Sequence, residues 1–272
     1  MKAKSSQLIR KIIALIAILA AWELAALATS SVGGTAASLV PTWEHVLTVD
    51  LPGFATFQSG ILTNTASDYT VALFVLVKHS AITIGRVLLG LIIGAVLGTG
   101  MGVVISLNKI VRRIIYPTIR VIRNVPILAL VALFLVWFGG NEKGTIIYIV
   151  FALWVIYCTS TIEATATVDS TKIAFARTLG ASNKEIFFDV TIPMIVPNIM
   201  DATKVALGVA WAVALGSELL AAQSGLGRLM IISQTYLNTG RMLVILILFV
   251  ILTLIFSGLV TLLSKRVLRW MP

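Results

Sequence analysis

The sequence predicts an all-α integral membrane protein with about six transmembrane helices. Of its 272 residues, 58% are hydrophobic and only 12% are charged, and the mean hydropathy is +1.02. A soluble domain is about half apolar and about a quarter charged. The chain has too few charged residues to cover the surface of a soluble protein. We therefore expect the excess of apolar side chains to face lipid.

Six apolar stretches approach the length of about 20 residues that crosses about 30 Å of hydrocarbon. They predict spans at approximately Ile12 to Thr29, Ile82 to Leu107, Ile114 to Phe138, Thr145 to Ile162, Ile199 to Ala222 and Met242 to Leu263. The first stretch also resembles a signal peptide, with a cleavage-like Ala26-Leu27-Ala28 at its end. Its roughly 18 apolar residues exceed the about 7 to 15 of a signal peptide, so we favour a retained helix.

The spans divide the chain into three predicted parts. Residues 1–31 form an N-terminal, peripheral transmembrane helix, residues 32–80 form an extracytoplasmic segment, and residues 81–272 form a five-helix core that carries a cytoplasmic loop at 164–197. Within the second part, Tyr69 to Val77 is apolar but too short to span. We expect an interfacial helix there.

The basic residues predict the orientation, because Lys and Arg are enriched in short cytoplasmic loops. With both termini in the cytoplasm, five of the 21 basic residues lie at or near the outside: Lys78, Arg86, Lys143, Arg228 and Arg241. The other 16 lie at or near the cytoplasmic side: Lys2, Lys4, Arg10, Lys11, Lys109, Arg112, Arg113, Arg120, Arg123, Lys172, Arg177, Lys184, Lys204, Lys265, Arg266 and Arg269. The net charge of +10 is thus explained by topology, and we expect no nucleic-acid partner.

The sequence does not contain the motifs for a disulfide, for a metal site or for binding ATP. The single cysteine, Cys158, forms no intrachain disulfide, and the isolated His45 and His79 have no metal-ligand spacing around them. The phosphate loop G-x4-G-K-[ST] is missing from the sequence. We therefore expect no catalytic residue, no metal and no cofactor in this chain.

Four glycines recur at every fourth position of the second span. Gly90, Gly94, Gly98 and Gly102 form one small-residue stripe, which lets helix backbones approach closely in lipid. We expect tight packing within the chain, with a seam between two copies as the alternative.

The segment between the fourth and fifth spans, residues 169–193, predicts two short helices joined by a turn; we call it the elbow. Asp169, Ser170 or Thr171 can cap the first helix, and Gly180 suits the left-handed residue that ends it. Ser182 and Glu185 have the spacing of a capping box for the second helix, and Pro193 predicts its end. Such an amphipathic element suits either a groove in another protein or the lipid surface.

A family resemblance favours the protein groove. Ala174-Phe175-Ala176, Gly180 and Val190-Thr191-Ile192-Pro193 resemble the E-A-A-x3-G-x9-I-x-L-P loop of ABC-importer permeases. Further segments are similar to the nitrate, sulfonate and taurine branch of that family, so the likeness covers nearly the whole chain. They are Arg177-Thr178-Leu179-Gly180-Ala181-Ser182, Val125 to Leu130, Trp137-Phe138-Gly139, Ala206 to Trp211, Glu218 to Ala221, Gly225-Leu226-Gly227 and Leu39-Val40-Pro41.

The resemblance implies a type I importer permease fold similar to that of methionine importers, in the inner membrane of a bacterium. It implies a homodimer, two cytoplasmic ATP-binding subunits that dock on the elbows, and an extracytoplasmic substrate-binding protein. The residues it implies for coupling to the ATPase are Ala174, Phe175, Ala176, Arg177, Gly180, Ala181, Ser182, Glu185 and Pro193. Ala174 stands where the family usually has Glu, so docking here would depend on apolar packing and on Arg177.

Ionisable and polar groups within spans mark a possible substrate path, because they are costly in lipid. Glu218 is the clearest, with Trp211 and Ser217 nearby, and it either contacts substrate, gates the path or pairs with Arg86, Arg228 or Arg241. Arg123, Asn124 and Pro126 at the opposite side either meet an anion or anchor the topology.

The leading function is thus the permease subunit of an ATP-driven importer that works by alternating access. The rival class is a secondary transporter driven by an ion gradient, which predicts an internal repeat or several intramembrane carboxylates; only Glu23 and Glu218 are well embedded in the predicted spans. A structural membrane anchor predicts neither the elbow nor buried charge. The branch suggests a small anion such as a sulfonate, nitrate or carboxylate, although similar members also carry neutral or cationic solutes.

Overall fold

The computed structural model describes residues 2–32, 39–57 and 68–270. Within these ranges the regular structure is helical, which confirms the predicted all-α fold. The α-helices are α1 (Lys2–Val32), α2 (Trp43–His45), α3 (Tyr69–Leu107), α4 (Lys109–Arg123), α5 (Ile127–Phe138), α6 (Glu142–Ala166), α7 (Ser170–Thr178), α8 (Asn183–Glu185), α9 (Ile192–Ala221), α10 (Leu226–Thr235) and α11 (Thr239–Val267). Val46–Asp50 and Ile186–Thr191 are π-helical, and Pro52–Phe57 is a 3-10 helix.

Four stretches of the described chain are helical, long and apolar enough to cross a bilayer. They are Tyr69–Leu107, Glu142–Ala166, Asn183–Ala221 and Thr239–Val267. The pair α4 and α5 adds a fifth if the two helices together count as one span. In α1, the described side chains include a shorter apolar stretch, Ile16–Ser30.

The third predicted span is not one straight helix. α4 and α5 meet at an angle of 97°, with Asn124 ending the first helix and Pro126 at the N-cap of the second. Proline has no backbone N–H, and it disfavours helical geometry in the residue before it. α5 has 12 residues, or about 18 Å at 1.5 Å per residue, which is too short to cross a bilayer alone.

The predicted interfacial helix at Tyr69 to Val77 is also wrong as a separate element. Those residues form the first turns of α3, which runs without interruption for 39 residues. The polar residues Lys78, His79 and Ser80 lie within this helix. Ser80 is buried, and its hydroxyl donates to the Leu76 carbonyl at 2.6 Å. That internal hydrogen bond replaces water for the serine side chain.

The chain forms two compact units: Met1–Ser80 with Arg228–Phe249, and Ala81–Gly227 with Val250–Pro272. In the second unit α6 is the central helix, and α4, α5 and α9 all pack against it. The predicted division at residues 31/32 and 80/81 stays a prediction.

The glycine stripe of α3 faces α6. A Cβ atom on Gly94 would lie 2.8 Å from the Leu153 Cβ, and one on Gly98 would lie 2.7 Å from both the Trp154 carbonyl oxygen and the Tyr157 Cβ. Gly90 and Gly102 meet α6 in the same way at Ile149 and Thr161. The stripe therefore brings the two backbones into close contact within one chain.

Candidate functional site

Arg86 is the centre of a buried charge cluster in the second compact unit. This side chain in α3 is 3% exposed, and all five of its N–H donors have acceptors. Nε donates to Glu142 Oε2 at 2.8 Å, Nη1 donates to Glu218 Oε1 at 2.6 Å and to the Ser224 carbonyl at 2.8 Å, and Nη2 donates to Glu142 Oε1 and to Ser224 Oγ. The guanidinium thus binds the Glu142 carboxylate in a bidentate manner, through two parallel hydrogen bonds, which is the strongest arrangement for an arginine and a carboxylate.

Glu218, in the last turn of α9, is fully buried. Besides the Arg86 guanidinium, its carboxylate accepts the Thr83 hydroxyl at 2.9 Å and the Gly227 backbone N–H at 2.8 Å. The Thr83 oxygen in turn accepts the Leu226 N–H at 2.9 Å. Because its acceptors are met by these donors, the carboxylate is satisfied without water.

A glycine turn closes over Glu218. Gly225 has φ +105°, and a Cβ there would lie 2.5 Å from both carboxylate oxygens of Glu218. A side chain at this residue would therefore be strained by the backbone conformation and would also collide with the carboxylate. The turn after α9 is built around the charge cluster.

The cluster, consisting of Thr83, Arg86, Glu142, Glu218 and Ser224, carries one positive and two negative formal charges. Glu142 is 58% exposed and lies in the first turn of α6, where solvent and the helix dipole both favour a carboxylate. Glu218 is shielded from water and depends on Arg86. The cluster joins α3, α6, α9 and the following turn by charge pairs.

The charge cluster and the elbow lie at opposite ends of the same helices. α6 begins at Glu142 and α9 ends beside Glu218, whereas the elbow connects the other end of α6 to the start of α9. The 25 residues of α6 span about 37 Å at 1.5 Å per residue. The two sites are therefore separated by about the length of α6.

The structure separates the residues that the sequence assigned to the substrate path. Trp211 and Ser217 are buried in α9 with Glu218; the Trp211 ring lies 5.7 Å from that of Phe256, edge to face, and the Ser217 hydroxyl donates to the Ala214 carbonyl. Arg123, Asn124 and Pro126 are exposed at the 97° bend. Of these, Arg123 pairs at 3.3 Å with Glu163 near the elbow end of α6. The two sets do not form one site, and their role in transport stays a prediction.

Local hydrogen bonds shape the elbow. Asp169 caps α7 by accepting the Thr171 N–H at 2.8 Å, and this bond lowers the pKa of the Asp169 carboxyl. After α7, Gly180 has φ +86°. Ser182 and Glu185 then form a capping box, in which each side chain accepts the other's backbone N–H.

Pro193 does not end the helical run. Ile186–Thr191 continues from α8 as a π-helix and leads into α9, so the chain is helical from Asn183 to Ala221. Pro193 occupies one of the first two positions of α9, where a missing N–H is tolerated.

An apolar groove of about 560 Å³ lies along the elbow. Phe175 and Leu179, which are 65% and 72% exposed, form one side with Ala176. Val190 and Pro193 form another, and Trp270, near the chain end, also lines it. Ala174 and Arg177 are exposed on α7, so the elbow presents an apolar surface with a cation beside it.

Sequence reasoning identified Glu218 and named Arg86 among its possible partners, but it missed Glu142, Thr83 and Ser224. Glu142 follows Asn141, whose side chain caps α6 by accepting the Gly144 N–H. It therefore has the position of an ordinary first-turn carboxylate. Its pairing with Arg86 spans 56 residues, and no local pattern indicates it.

Comparison with known proteins decides the family. Residues 86–269, which contain both the charge cluster's Arg86 and the elbow, match the model of the binding-protein-dependent transport system inner membrane component. The chain belongs to this family. It is the transmembrane permease subunit of an ABC importer and thus a transport subunit.

Two permease relatives and one solved structure illustrate the similarity. The taurine transport system permease protein TauC of Escherichia coli (strain K12) is 30% identical over 227 residues, which is 82% of each chain. The nitrate import permease protein NrtB of Synechococcus elongatus is 29% identical over 54% of this chain and 52% of its own. The MetNI methionine ABC transporter in an inward-facing conformation shares the fold, with a TM-score of 0.64, 18% identity, and coverage of 72% of this chain and 97% of that chain.

Proposed function

We propose that this permease carries a small anion, of the sulfonate, nitrate or carboxylate kind, across the bacterial inner membrane. Two copies form the pathway, two ATP-binding subunits dock on the elbows, and an extracytoplasmic binding protein delivers the substrate. This chain needs no cofactor of its own, because ATP is bound and hydrolysed by the separate subunits. The observation that carries the proposal is the elbow, a capped, apolar, exposed element within the matched family region.

The geometry of α9 supports a mechanism of alternating access. A movement of the elbow by the ATPase passes along the continuous helix Asn183–Ala221 to the charge cluster at its other end. Packed helices transmit such displacements as rigid bodies. We infer that closure of the ATPase subunits rocks α6 and α9 between inward-open and outward-open states.

Copurification from native membranes tests the ATPase partner. A stoichiometric ATP-binding subunit with vanadate-sensitive hydrolysis is expected with the wild type and should be lost with Phe175→Ala. Phe188 is 63% exposed but does not line the groove, so Phe188→Ala is the matched control and should keep the subunit. Purification of the permease without such a subunit, under several detergents, would overturn the proposed partnership.

Labelling tests the orientation. In a Cys158→Ala background, Ala174→Cys lies on the exposed face of α7 and should react with an impermeant maleimide only in inside-out vesicles. Labelling in right-side-out vesicles would place the elbow outside and contradict docking of a cytoplasmic ATPase.

The names of the taurine and nitrate permeases support a substrate with an oxyanion group, which is the sulfonate in taurine and nitrate itself. Proteoliposomes with the full importer should accumulate labelled taurine, and methanesulfonate or nitrate should compete with it. Competition by methylammonium alone would show that the substrate charge is the opposite of the one proposed.

A further inference from the structure

A cavity of about 500 Å³ in the first compact unit belongs neither to the charge cluster nor to the elbow. Its wall is formed by one side of α1, the segment around residues 40–50 and the turn at residues 236–240. The polar residues that line it include Ser30, Thr42, His45, Asp50, Tyr236 and Asn238.

Asp50 is the unusual member of this wall. It is 3% exposed, and its Oδ2 atom has no hydrogen-bond partner. Among the described residues its ion-pair contact is with His45, whose Nε2 lies 3.9 Å from Oδ2. The Asn238 side chain forms a hydrogen bond with this carboxylate, but Oδ2 has no donor. A buried carboxylate oxygen without a donor is costly, so the site is short of one hydrogen-bond donor.

Arg241 does not supply this donor. Among the described residues no ion pair within 4.0 Å joins it to Asp50. Its guanidinium lies over the Phe57 ring at 5.4 Å and over the Phe54 ring at 6.0 Å, and it does not line the cavity.

The cavity wall is fixed by specific contacts. Trp22 Nε1 donates to the Pro41 carbonyl at 3.0 Å, and the Trp43 N–H donates to Glu23 at 3.0 Å, so the segment is tied to α1. Leu237 has φ +52°, a conformation rare for a leucine. Strain of this kind persists where the surroundings enforce it and is concentrated at ligand sites.

We propose that this cavity binds a small organic molecule through a primary ammonium group paired with Asp50. The volume is within the range of about 300 to 1,000 Å³ typical of small-molecule sites and far exceeds what one inorganic ion needs. Ala26, Val40 and Leu237 supply an apolar surface for the carbon skeleton. The ammonium supplies a positive charge and the donor that Oδ2 of Asp50 lacks.

Calorimetry on the full-length permease in nanodiscs, with any subunits that copurify, tests this proposal with n-propylammonium as the probe. We expect saturable binding of n-propylammonium and none of n-propanol or propionate, which match its size but lack its charge or reverse it. Loss of one charge-assisted hydrogen bond in Asp50→Asn should weaken binding about 10-fold or more.

Two further variants complete the test. Glu44 is exposed and does not line the cavity, so Glu44→Gln should bind the probe as the wild type does. Ser30→Phe fills the cavity from an exposed position on α1 and should also weaken binding. Unchanged affinity in Asp50→Asn, equal binding of propanol, or no binding by the wild type would each overturn the proposal. Because the effects of Asp50→Asn and Ser30→Phe report binding at this chain, the result is independent of the proposed ATPase and of the transported solute.

Discussion

Replacing Arg86 with methionine tests whether the charge cluster stabilises the permease. The change leaves two carboxylates without their shared cation, and Glu218 is fully buried. Breaking a buried pair in this way costs about 3 to 5 kcal/mol. For a chain of this size that corresponds to a melting midpoint about 6 to 20 °C lower.

Replacing either carboxylate should lower the stability of the protein less than replacing the arginine. Glu218→Gln leaves Arg86 paired with Glu142 and loses only charge-assisted hydrogen bonds, so we expect a cost of about 1 to 3 kcal/mol. Glu142 is 58% exposed, and after solvent screening Glu142→Gln should cost about 1 kcal/mol or less. The double variant Arg86→Met/Glu218→Gln removes both buried charges and should melt higher than Arg86→Met alone.

Tryptophan fluorescence during heating of the purified protein in detergent measures these midpoints. Arg113 is exposed on α4, so Arg113→Met makes the same chemical change without breaking the cluster. Its midpoint should stay within about 2 °C of the wild type. The reasoning is refuted if Arg86→Met melts like Arg113→Met, or if the losses of the two single variants simply add in the double variant, because contacting residues should be coupled.

Three other predictions concern separate parts of the chain. Gly98→Ala should lower the melting midpoint, because the new Cβ would lie 2.7 Å from α6, whereas Gly100→Ala in the same helix meets nothing within 4 Å and should not lower it. Gly180→Val should abolish ATP-coupled uptake while the protein still inserts and folds, because φ +86° is strained for valine although the space around it is open; normal uptake would contradict the assigned role of the elbow. Burial raises the pKa of Asp50 above 3.8, against the opposing effects of His45, Asn238 and Arg241, so protonation favours the folded state. Stability should therefore fall as the pH rises through this raised pKa, and that part of the pH dependence should be missing in Asp50→Asn, as measured by melting at a series of pH values.

Features of the chain that depend on a few neighbouring residues were readable from the sequence. The capping box of Ser182 and Glu185 and the left-handed Gly180 are set by hydrogen bonds and backbone sterics within a few residues. Four of the six predicted apolar spans were readable for a similar reason, since hydropathy is a local average and these four overlap long apolar helices of the described chain.

Features set by distant contacts or by exceptions to local rules were not readable. Arg86 and Glu218 are 132 residues apart, so the sequence offered a choice of partners without deciding among them. Hydropathy averaging passed over the bend at Pro126, where the apolar residues on both sides are similar. Conversely, the apolar stretch Tyr69 to Val77 is too short to span and was predicted as a separate interfacial helix, whereas it forms the first turns of the continuous helix α3.

The π-helical stretch Ile186–Thr191 has a consequence for how this helix tolerates insertions and deletions. A π turn holds about one residue more than an α turn, and one residue corresponds to about 100° of rotation around the axis. Because the wider turn absorbs the additional residue, removing one residue here would let the helix close as ordinary α, while the side chains of α9, including Glu218, would keep their direction relative to the elbow. The stretch is thus a place where the chain can lose one residue without changing the direction of Glu218 relative to the elbow, whereas a deletion between Thr191 and Glu218 would turn that carboxylate by about 100°.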